Sequence, residues 1–262
     1  VFREAGPGSP LQGIRLHSLA RNRCKAGAVR EGLELLLETT DADFFVTRDC
    51  DGDHTVEDIP RLVHFLIYAG KLTGNPRICV MGSRSSLAKP MGWVRQEWER
   101  LTNDSLLALL NLYLGGKGMV LDQRFWNGSD PDIQSGFRVY SRQAADCAVK
   151  SLSALPEDRA VLNFACEFEP FLDISLESGV FCQVNRLTLV EQPVSSYRDV
   201  DYANDYGSYL KHAATRLGVD SRTLLRVFDN AVSRSDLAFT DFRKDLLKCR
   251  SVLGGGSESL SW

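Results

Sequence analysis

The sequence predicts an α/β fold in which helices cover both faces of a mostly parallel sheet. Short apolar segments bounded by turn residues alternate with longer segments whose apolar residues recur at helical spacing, which favours strands alternating with helices. Such alternation is typical of crossover connections, and these place successive strands parallel in one sheet. At 262 residues, with 44% hydrophobic and 25% charged residues, the chain is long enough for one large domain or two small ones.

The elements follow from this pattern in chain order. The predicted strands are short and apolar, and they lie at residues 14–19, 44–47, 78–81, 137–140 and 184–190. The predicted helices have apolar residues on one face, and they lie at 29–39, from 58 onward, and at 93–114, 143–153, 168–178, 216–232 and 239–252. Beyond residue 198 the strand pattern ends, which predicts a helical carboxyl-terminal extension over 199–253 and a flexible, glycine-rich tail over 254–262.

Charge and cysteine content exclude several classes of protein. The chain has 31 Lys plus Arg against 34 Asp plus Glu, a net charge of −3, which argues against a dedicated nucleic-acid-binding protein. The seven cysteines form no CxxC pair, so neither a zinc site nor a disulfide framework is indicated, and a reducing compartment is favoured. No segment has the ~20 apolar residues that a membrane span needs. We therefore expect a cytoplasmic protein without transmembrane segments, whose contact with a membrane is at most peripheral.

An acidic turn follows the predicted strand at 44–47. It contains Asp49, Asp51 and Asp53. Carboxylates this close repel one another, and a divalent cation would relieve that repulsion. Oxygen ligands suit Mg²⁺ or Mn²⁺, so these three residues are the predicted metal ligands.

Two other interpretations of this turn remain open, and one is excluded. Asp-Gly is a common turn pair, so an acidic surface turn explains the same residues. A strand followed by Asp-x-Asp-Gly also resembles haloacid-dehalogenase-type phosphatases, which leaves a Mg²⁺-dependent phosphohydrolase as an alternative. A calcium EF-hand loop is excluded, because counting from Asp49 the sixth position is His54 and the twelfth is Pro60.

Four segments, which we call the motif blocks, resemble motifs of the family-2 glycosyltransferases in the family's order. In this family the branch of polyprenyl-phosphate (dolichyl-phosphate) mannose and glucose synthases is the most similar. Residues 24–32 resemble GKGxAxRxG, 49–60 resemble DADxxHxPEDIP, 80–84 resemble VxGSR, and 132–140 resemble DxQxGFRxY. A weaker fifth segment, 191–198, is similar to EVPVxYxxR. The resemblance covers about residues 14–198 and implies a GT-A (Rossmann-like) fold over 1–198.

The resemblance also implies an activity. It is the inverting transfer of a hexose from a nucleotide-sugar donor to an acceptor, for which a polyprenyl phosphate is one candidate. Asp49 and Asp51 match the pair that binds Mg²⁺ or Mn²⁺ and so holds the donor diphosphate, and Asp53 is placed where a further ligand can lie.

Three more residues receive roles from the same resemblance. Asp132 matches the acidic residue that serves as the catalytic base or organises the acceptor site. If the acceptor is already an ionised phosphate, base catalysis matters little and Asp132 mainly orients it. Lys25 and Arg84 match basic positions that bind substrate phosphates, although Lys25 can also be a solvated residue near a helix start and Arg84 a structural ion-pair partner.

The sequence departs from the family at its beginning. The family's first strands end in PxYNE-like and DDGSxD-like segments, and neither occurs here. We therefore expect an amino-terminally incomplete glycosyltransferase domain, whose nucleobase preference cannot be inferred. The same departure leaves open a catalytically inactive GT-A-like binding module.

Overall fold

The structure, a computed structural model, describes residues 3–4, 15–49, 54–84, 92–126, 131–186 and 201–254. The strands in these ranges are β1 (Arg3–Glu4), β2 (Arg15–Leu16), β3 (Phe44–Thr47), β4 (Ile78–Arg84), β5 (Arg138–Ser141) and β6 (Val180–Arg186). The α-helices are α1 (Cys24–Thr39), α2 (Ile59–Thr73), α3 (Trp93–Gly116), α4 (Arg142–Ser153), α5 (Arg159–Leu162), α6 (Ala165–Leu176), α7 (Tyr202–Arg216), α8 (Ser221–Val232) and α9 (Arg243–Val252). Short 3₁₀ helices lie at Val56–Asp58 and Asp236–Phe239. The predicted α/β fold class is therefore confirmed.

The central sheet is mixed, with the strand order β3–β5–β4–β6. Strand β5 runs antiparallel to both β3 and β4, whereas β4 and β6 are parallel. Strands β1 and β2 form a separate antiparallel pair. The predicted mostly parallel sheet is therefore not confirmed, because two of the three neighbouring pairs in the described part of this sheet are antiparallel.

Strand β5 runs antiparallel to β3 and β4 because the segment before it brings the chain to the ends of these two strands. Arg138, the first residue of β5, pairs with Thr47 at the end of β3 and with Met81 in β4. Residues 131–137 therefore lie where β3 and β4 end, and a strand that starts there must run back along both. A parallel strand would need a crossover connection to the opposite edge. We call the edge where β3, β4 and β6 end the carboxyl edge.

Apolar cores lie on both faces of the sheet. In β4, Ile78 and Val80 pack in the core that includes α2, whereas Cys79 and Met81 pack on the other face in a larger, mainly helical core. This alternation is the two-residue period of a strand. Because both faces are covered, every β4 residue up to Ser83 is buried.

The carboxyl-terminal helices pack into the same large core, to which they contribute Tyr206 from α7, Phe228 from α8 and Leu246 from α9. In the described part of the chain, no helix is both long enough and apolar enough to cross a lipid bilayer.

The helix predicted over 216–232 is confirmed from Ser221 to Val232, but it begins later than predicted. Helix α7 ends at Arg216 and α8 begins at Ser221. Between them, Gly218 has a φ of 65°, a left-handed conformation that commonly ends helices and that glycine adopts without strain. The side chain of Asp220 then accepts a hydrogen bond from the backbone of Thr223 at 2.9 Å and so caps α8.

Most of the remaining predicted helices and strands agree with the structure except at their ends. Helix α1 begins at Cys24 rather than residue 29, and α6 lies three residues earlier than its predicted start at 168. Strand β6 begins at Val180 rather than 184. The last predicted residues of that strand, 187–190, and the tail beyond 254 lie outside the described residues.

Candidate functional site

The predicted site residues that the structure describes lie at the carboxyl edge. Lys25 is in the first turn of α1, Asp49 follows the end of β3 by two residues, and Arg84 ends β4. Residues 132–136, which we call the edge loop, begin with Asp132 and lead into β5. Ligands of α/β proteins commonly bind at the carboxyl ends of parallel strands, so this placement agrees with a binding site.

Lys25, Asp49 and Glu167 form the first of two charged groups, which we call the lysine cluster. The Nζ atom of Lys25 lies 2.7 Å from Oδ1 of Asp49 and 2.7 Å from Oε1 of Glu167. Glu167 is buried in the first turn of α6, whereas the other two side chains are half-buried. One ammonium group therefore connects α1, the turn after β3, and α6.

Burial and charge have opposite effects on the pKa values in the lysine cluster. Burial lowers the pKa of Lys25, but the charges of Glu167 and Asp49 outweigh burial and raise this pKa above its ordinary value. Burial raises the pKa of Asp49, but the hydrogen bond from His54 and the charge of Lys25 outweigh burial and lower this pKa below its ordinary value. Both groups are therefore charged at neutral pH.

Two neighbours enclose Asp49 further. The buried His54 places its Nε2 atom 3.4 Å from Oδ2 of Asp49, and its ring packs against Phe137 with 5.1 Å between the ring centroids. A Cβ atom added at Gly136 would lie 2.7 Å from Oδ2 of Asp49 and 2.8 Å from Nζ of Lys25. The edge loop thus approaches the lysine cluster so closely that a side chain at position 136 would displace the end groups of Asp49 and Lys25.

Arg84, Asp132 and Glu99 form the second group, which we call the arginine cluster. Arg84 donates to Oδ2 of Asp132 from its backbone N–H at 3.0 Å and from Nε at 2.8 Å, and its Nη2 donates to Oδ1. The same Nη2 donates to Oε2 of Glu99 at 2.7 Å. Glu99 also accepts a hydrogen bond from Arg95 at 2.9 Å. All three members are buried, so Arg84 is a buried ion-pair partner, which is one of the two roles that the sequence allows.

Asp132 is better suited to positioning a substrate than to abstracting a proton from it. Burial raises its pKa, but the charge and the hydrogen bonds of Arg84 outweigh burial and lower the pKa below its ordinary value. A general base works best with a pKa near the working pH, and both oxygens of this carboxylate accept hydrogen bonds from Arg84.

Further hydrogen bonds fix the backbone of the edge loop. The N–H of Asp132 donates to Oε1 of Gln183 in β6 at 2.8 Å, and Oγ of Ser135 donates to the carbonyl of Gly82 in β4 at 2.7 Å. Nε of the buried Arg138 donates to the carbonyl of Ser135 at 3.0 Å. The loop is therefore a rigid part of the sheet edge.

The predicted metal ligands are described only in part. Asp51 and Asp53 lie outside the described residues, and among the residues that the structure does describe, no group of three or more His, Cys, Asp or Glu is arranged to hold a metal ion. Asp49 is ionised, and the sequence adds two carboxylates within the next four residues, an excess of negative charge that fits a divalent cation. Lys25 contacts Oδ1 of Asp49 and His54 contacts Oδ2, so a cation bound by Asp49 would share an oxygen with one of these partners.

Sequence reasoning missed Glu167 and Glu99, which complete the two clusters. A signal was present for Glu167, because it lies among buried apolar residues in the first turn of a mainly apolar helix, where an acidic residue needs a partner. The sequence signal for Glu99 was weaker, because its i,i+4 spacing from Arg95 is equally typical of an exposed ion pair on a helix. Its burial against Arg84 depends on the fold.

A scan against protein-family models finds no matching family, and a search of curated proteins finds no match.

Proposed function

We propose that this protein is a metal-dependent, inverting glycosyltransferase with a GT-A-like fold, which transfers a hexose from a nucleotide-sugar to an acceptor. The observation that supports this best is that the four motif blocks, though separate in sequence, meet at the carboxyl edge. Lys25 of the first block pairs with Asp49 of the second, and Arg84 of the third pairs with Asp132 of the fourth. Gly136, also of the fourth block, packs against the first two.

The lysine cluster is suited to holding the donor. A bound Mg²⁺ or Mn²⁺ would neutralise the charge that develops on the departing diphosphate, and Asp49, Asp51 and Asp53 would be its oxygen ligands. Glu167 holds Lys25 independently of Asp49. The ammonium therefore stays at the carboxyl edge when Asp49 binds a cation, and it can donate to a phosphate oxygen.

The arginine cluster is suited to orienting the acceptor. Arg84 keeps Asp132 ionised and fixed, which favours an acceptor that needs no general base. A phosphate is such an acceptor, because it is already ionised near neutral pH. We therefore favour a polyprenyl phosphate as acceptor, and we propose that the protein acts on the cytoplasmic side, at a membrane surface.

The test is a transfer assay with a panel of nucleotide-sugars and titrated Mn²⁺, using the wild type, Asp49→Asn and Asp51→Ala. Asp146→Asn is the matched control, because Asp146 forms an exposed pair with Lys150 on α4. The proposal predicts Mn²⁺-dependent transfer that both site variants lose and the control keeps. Equal turnover by all four proteins would overturn the metal role. Phosphate release from simple monoesters without a sugar donor would instead favour the phosphohydrolase.

One observation favours the alternative of an inactive GT-A-like binding module. Lys25 and His54 contact the two oxygens of Asp49, so this carboxylate already has partners within the chain. Such a module would capture a partner equally well with and without nucleotide-sugar, and it would show no turnover. Pull-down experiments with and without donor distinguish it from the enzyme.

A further inference from the structure

Helix α7 of the carboxyl-terminal extension reaches the edge loop through a tyrosine hydroxyl. The hydroxyl of Tyr206 donates to Oε1 of Gln134 at 2.7 Å, across 72 positions of the sequence. Gln134 lies in the middle of the edge loop, two residues after Asp132. The contact therefore connects a helix outside the motif blocks to the loop that holds a predicted site residue.

Gln134 is held at both ends of its amide group. Its Nε2 donates to the carbonyl of Glu99 at 3.0 Å and to Oδ1 of Asn103 at 3.1 Å, and both of these residues belong to α3. Its Oε1 accepts the hydrogen bond from Tyr206. An amide with donors and an acceptor engaged on opposite sides cannot rotate without losing hydrogen bonds, so the side chain fixes the loop against α3 and α7 together.

Tyr206 is itself immobilised by the core. It is fully buried, and its ring stacks on Phe164, Trp98 and Tyr202 at centroid distances of 4.4, 6.2 and 5.9 Å. Aromatic pairs of this kind resist displacement. The hydroxyl is therefore a fixed point from which Gln134 can be positioned.

We propose that Tyr206 is a positioning residue for the edge loop. Its hydroxyl fixes the side chain of Gln134. Because Gln134 and Asp132 belong to the same loop, this contact also keeps the Asp132 carboxylate in place for its hydrogen bonds with Arg84. The turn that transmits this constraint is closed by the N–H of Ser135, which donates to the carbonyl of Asp132 at 3.0 Å. The consequence for sugar transfer rests on the proposed function, whereas the consequence for the loop does not.

The test compares Tyr206→Phe with Tyr209→Phe. Tyr209 is an ideal control, because it lies on the same helix, is fully buried, stacks on Phe168 at 4.5 Å and donates from its hydroxyl to Glu169 at 3.2 Å, away from the loop. Each variant keeps its ring and loses one hydrogen bond. Amide hydrogen exchange of residues 132–137, measured by mass spectrometry well below the melting temperature, reports on the loop without requiring any activity.

The proposal predicts that Tyr206→Phe accelerates exchange in residues 132–137 about three- to tenfold, the effect expected from the loss of one hydrogen bond. Tyr209→Phe leaves exchange there unchanged. Equal exchange in the wild type and Tyr206→Phe, or the same acceleration in both variants, would overturn the proposal.

A second variant separates positioning from general stability. Gln134→Met removes the acceptor and leaves the buried hydroxyl without it, so adding Tyr206→Phe should not accelerate exchange further and can partly reverse the effect, whereas additive acceleration would overturn the proposal. If transfer is detected, Tyr206→Phe should lower kcat with the KM for the donor unchanged. A protein without transfer activity but with the predicted exchange would refute the proposed function alone, and unchanged exchange in an active enzyme would refute the positioning role alone.

Discussion

The two charged clusters at the carboxyl edge are both built from ion pairs, but they differ in how deeply these pairs are buried. In the lysine cluster the side chains of Lys25 and Asp49 are 30% and 33% exposed, whereas in the arginine cluster those of Arg84 and Asp132 are 8% and 5% exposed. A partly exposed ion pair contributes little to stability and can exchange its partners with solvent or ligand. A buried pair cannot lose a partner without leaving an uncompensated charge. Under the proposed function, this difference in exposure favours donor binding at the lysine cluster and, at the arginine cluster, a fixed edge loop whose Asp132 orients the acceptor.

The largest expected effect is that of Arg84→Met. This change leaves Asp132 without its cation in the protein interior, and it should lower the free energy of unfolding by about 3–5 kcal/mol. Urea denaturation measures this directly. In Arg21→Met, the control, the lost pair with Glu157 is exposed, and the expected cost is below about 1 kcal/mol. Similar costs for both variants would remove the distinction between the clusters.

Gly136→Ala tests how tightly the edge loop packs on the lysine cluster. The added methyl group would lie within 3 Å of Asp49 and Lys25 and should force them apart, at a cost of about 1–3 kcal/mol. Gly32→Ala in α1 meets nothing within 4 Å and should instead stabilise the protein by up to about 1 kcal/mol. Thermal unfolding of both variants checks the prediction, and a neutral Gly136→Ala would show that the loop moves away freely.

Lys25→Met tests the partly exposed ion pair, and its effect depends on pH. At neutral pH we expect a cost of about 1–3 kcal/mol, because the pair with Asp49 is partly exposed but the buried Glu167 would lose its cation. Because Lys25 contributes to the lowered pKa of Asp49, this part of the stability is present above the ordinary carboxyl pKa of about 4 and is lost as the pH falls through the lower, folded-state value. The difference between wild type and variant should therefore shrink below about pH 4. It should also begin to shrink above the ordinary lysine pKa of about 10, because Lys25 keeps its proton in the folded protein while the unfolded chain loses it.

Urea denaturation of both proteins across this pH range provides the measurement. The Asp49 carboxyl, followed by NMR, should titrate at higher pH in Lys25→Met than in the wild type. A difference in stability that stays constant from neutral to acidic pH would show that the pair contributes nothing electrostatic.

The smallest expected effect is that of Cys24→Gly, next to Lys25. Cys24 has a φ of 58°, a left-handed conformation that costs a non-glycine residue about 1 kcal/mol. Glycine removes this strain, although its greater freedom in the unfolded chain offsets part of the gain. Ser178→Gly is the matched control, because Ser178 has the same φ at the end of α6. Both variants should melt at a slightly higher temperature, and a lower melting temperature for Cys24→Gly alone would indicate that the cysteine side chain stabilises the start of α1.

Local sequence patterns were sufficient to predict those strands and helices whose apolar residues recur with a clear period. Strand β3 matches the predicted range 44–47, and α3 extends its predicted range by two residues, because buried β-favouring residues and a long apolar stripe are clear in sequence. Helix α7 falls within the predicted helical extension, but no separate helix was located over 202–215, because Asn204, Asp205 and Gly207 are poor helix formers. Burial of Tyr206 and Tyr209 in the core supplies the stability that propensity lacks.

Four members of the two clusters were predictable from sequence, whereas Glu99, Glu167 and the pairing were not. The acidic turn and the motif blocks indicated Lys25, Asp49, Arg84 and Asp132, and the structure brings them to one edge. The direction of β5 and the contact between Lys25 and Glu167 depend on how distant segments pack, which no local pattern encodes. Whether Arg84 faces a ligand or an ion pair was undecidable from sequence, because both roles require the same side chain.

The central claim is that the lysine cluster binds a nucleoside diphosphate together with a divalent cation. Calorimetric titration of UDP and GDP, with and without Mn²⁺, into the wild type, Asp49→Asn and Asp146→Asn tests it most directly. The account predicts Mn²⁺-dependent binding of at least one nucleotide by the wild type and Asp146→Asn, weakened about tenfold or more in Asp49→Asn. Identical affinities for all three proteins, whether or not Mn²⁺ is present, would contradict it.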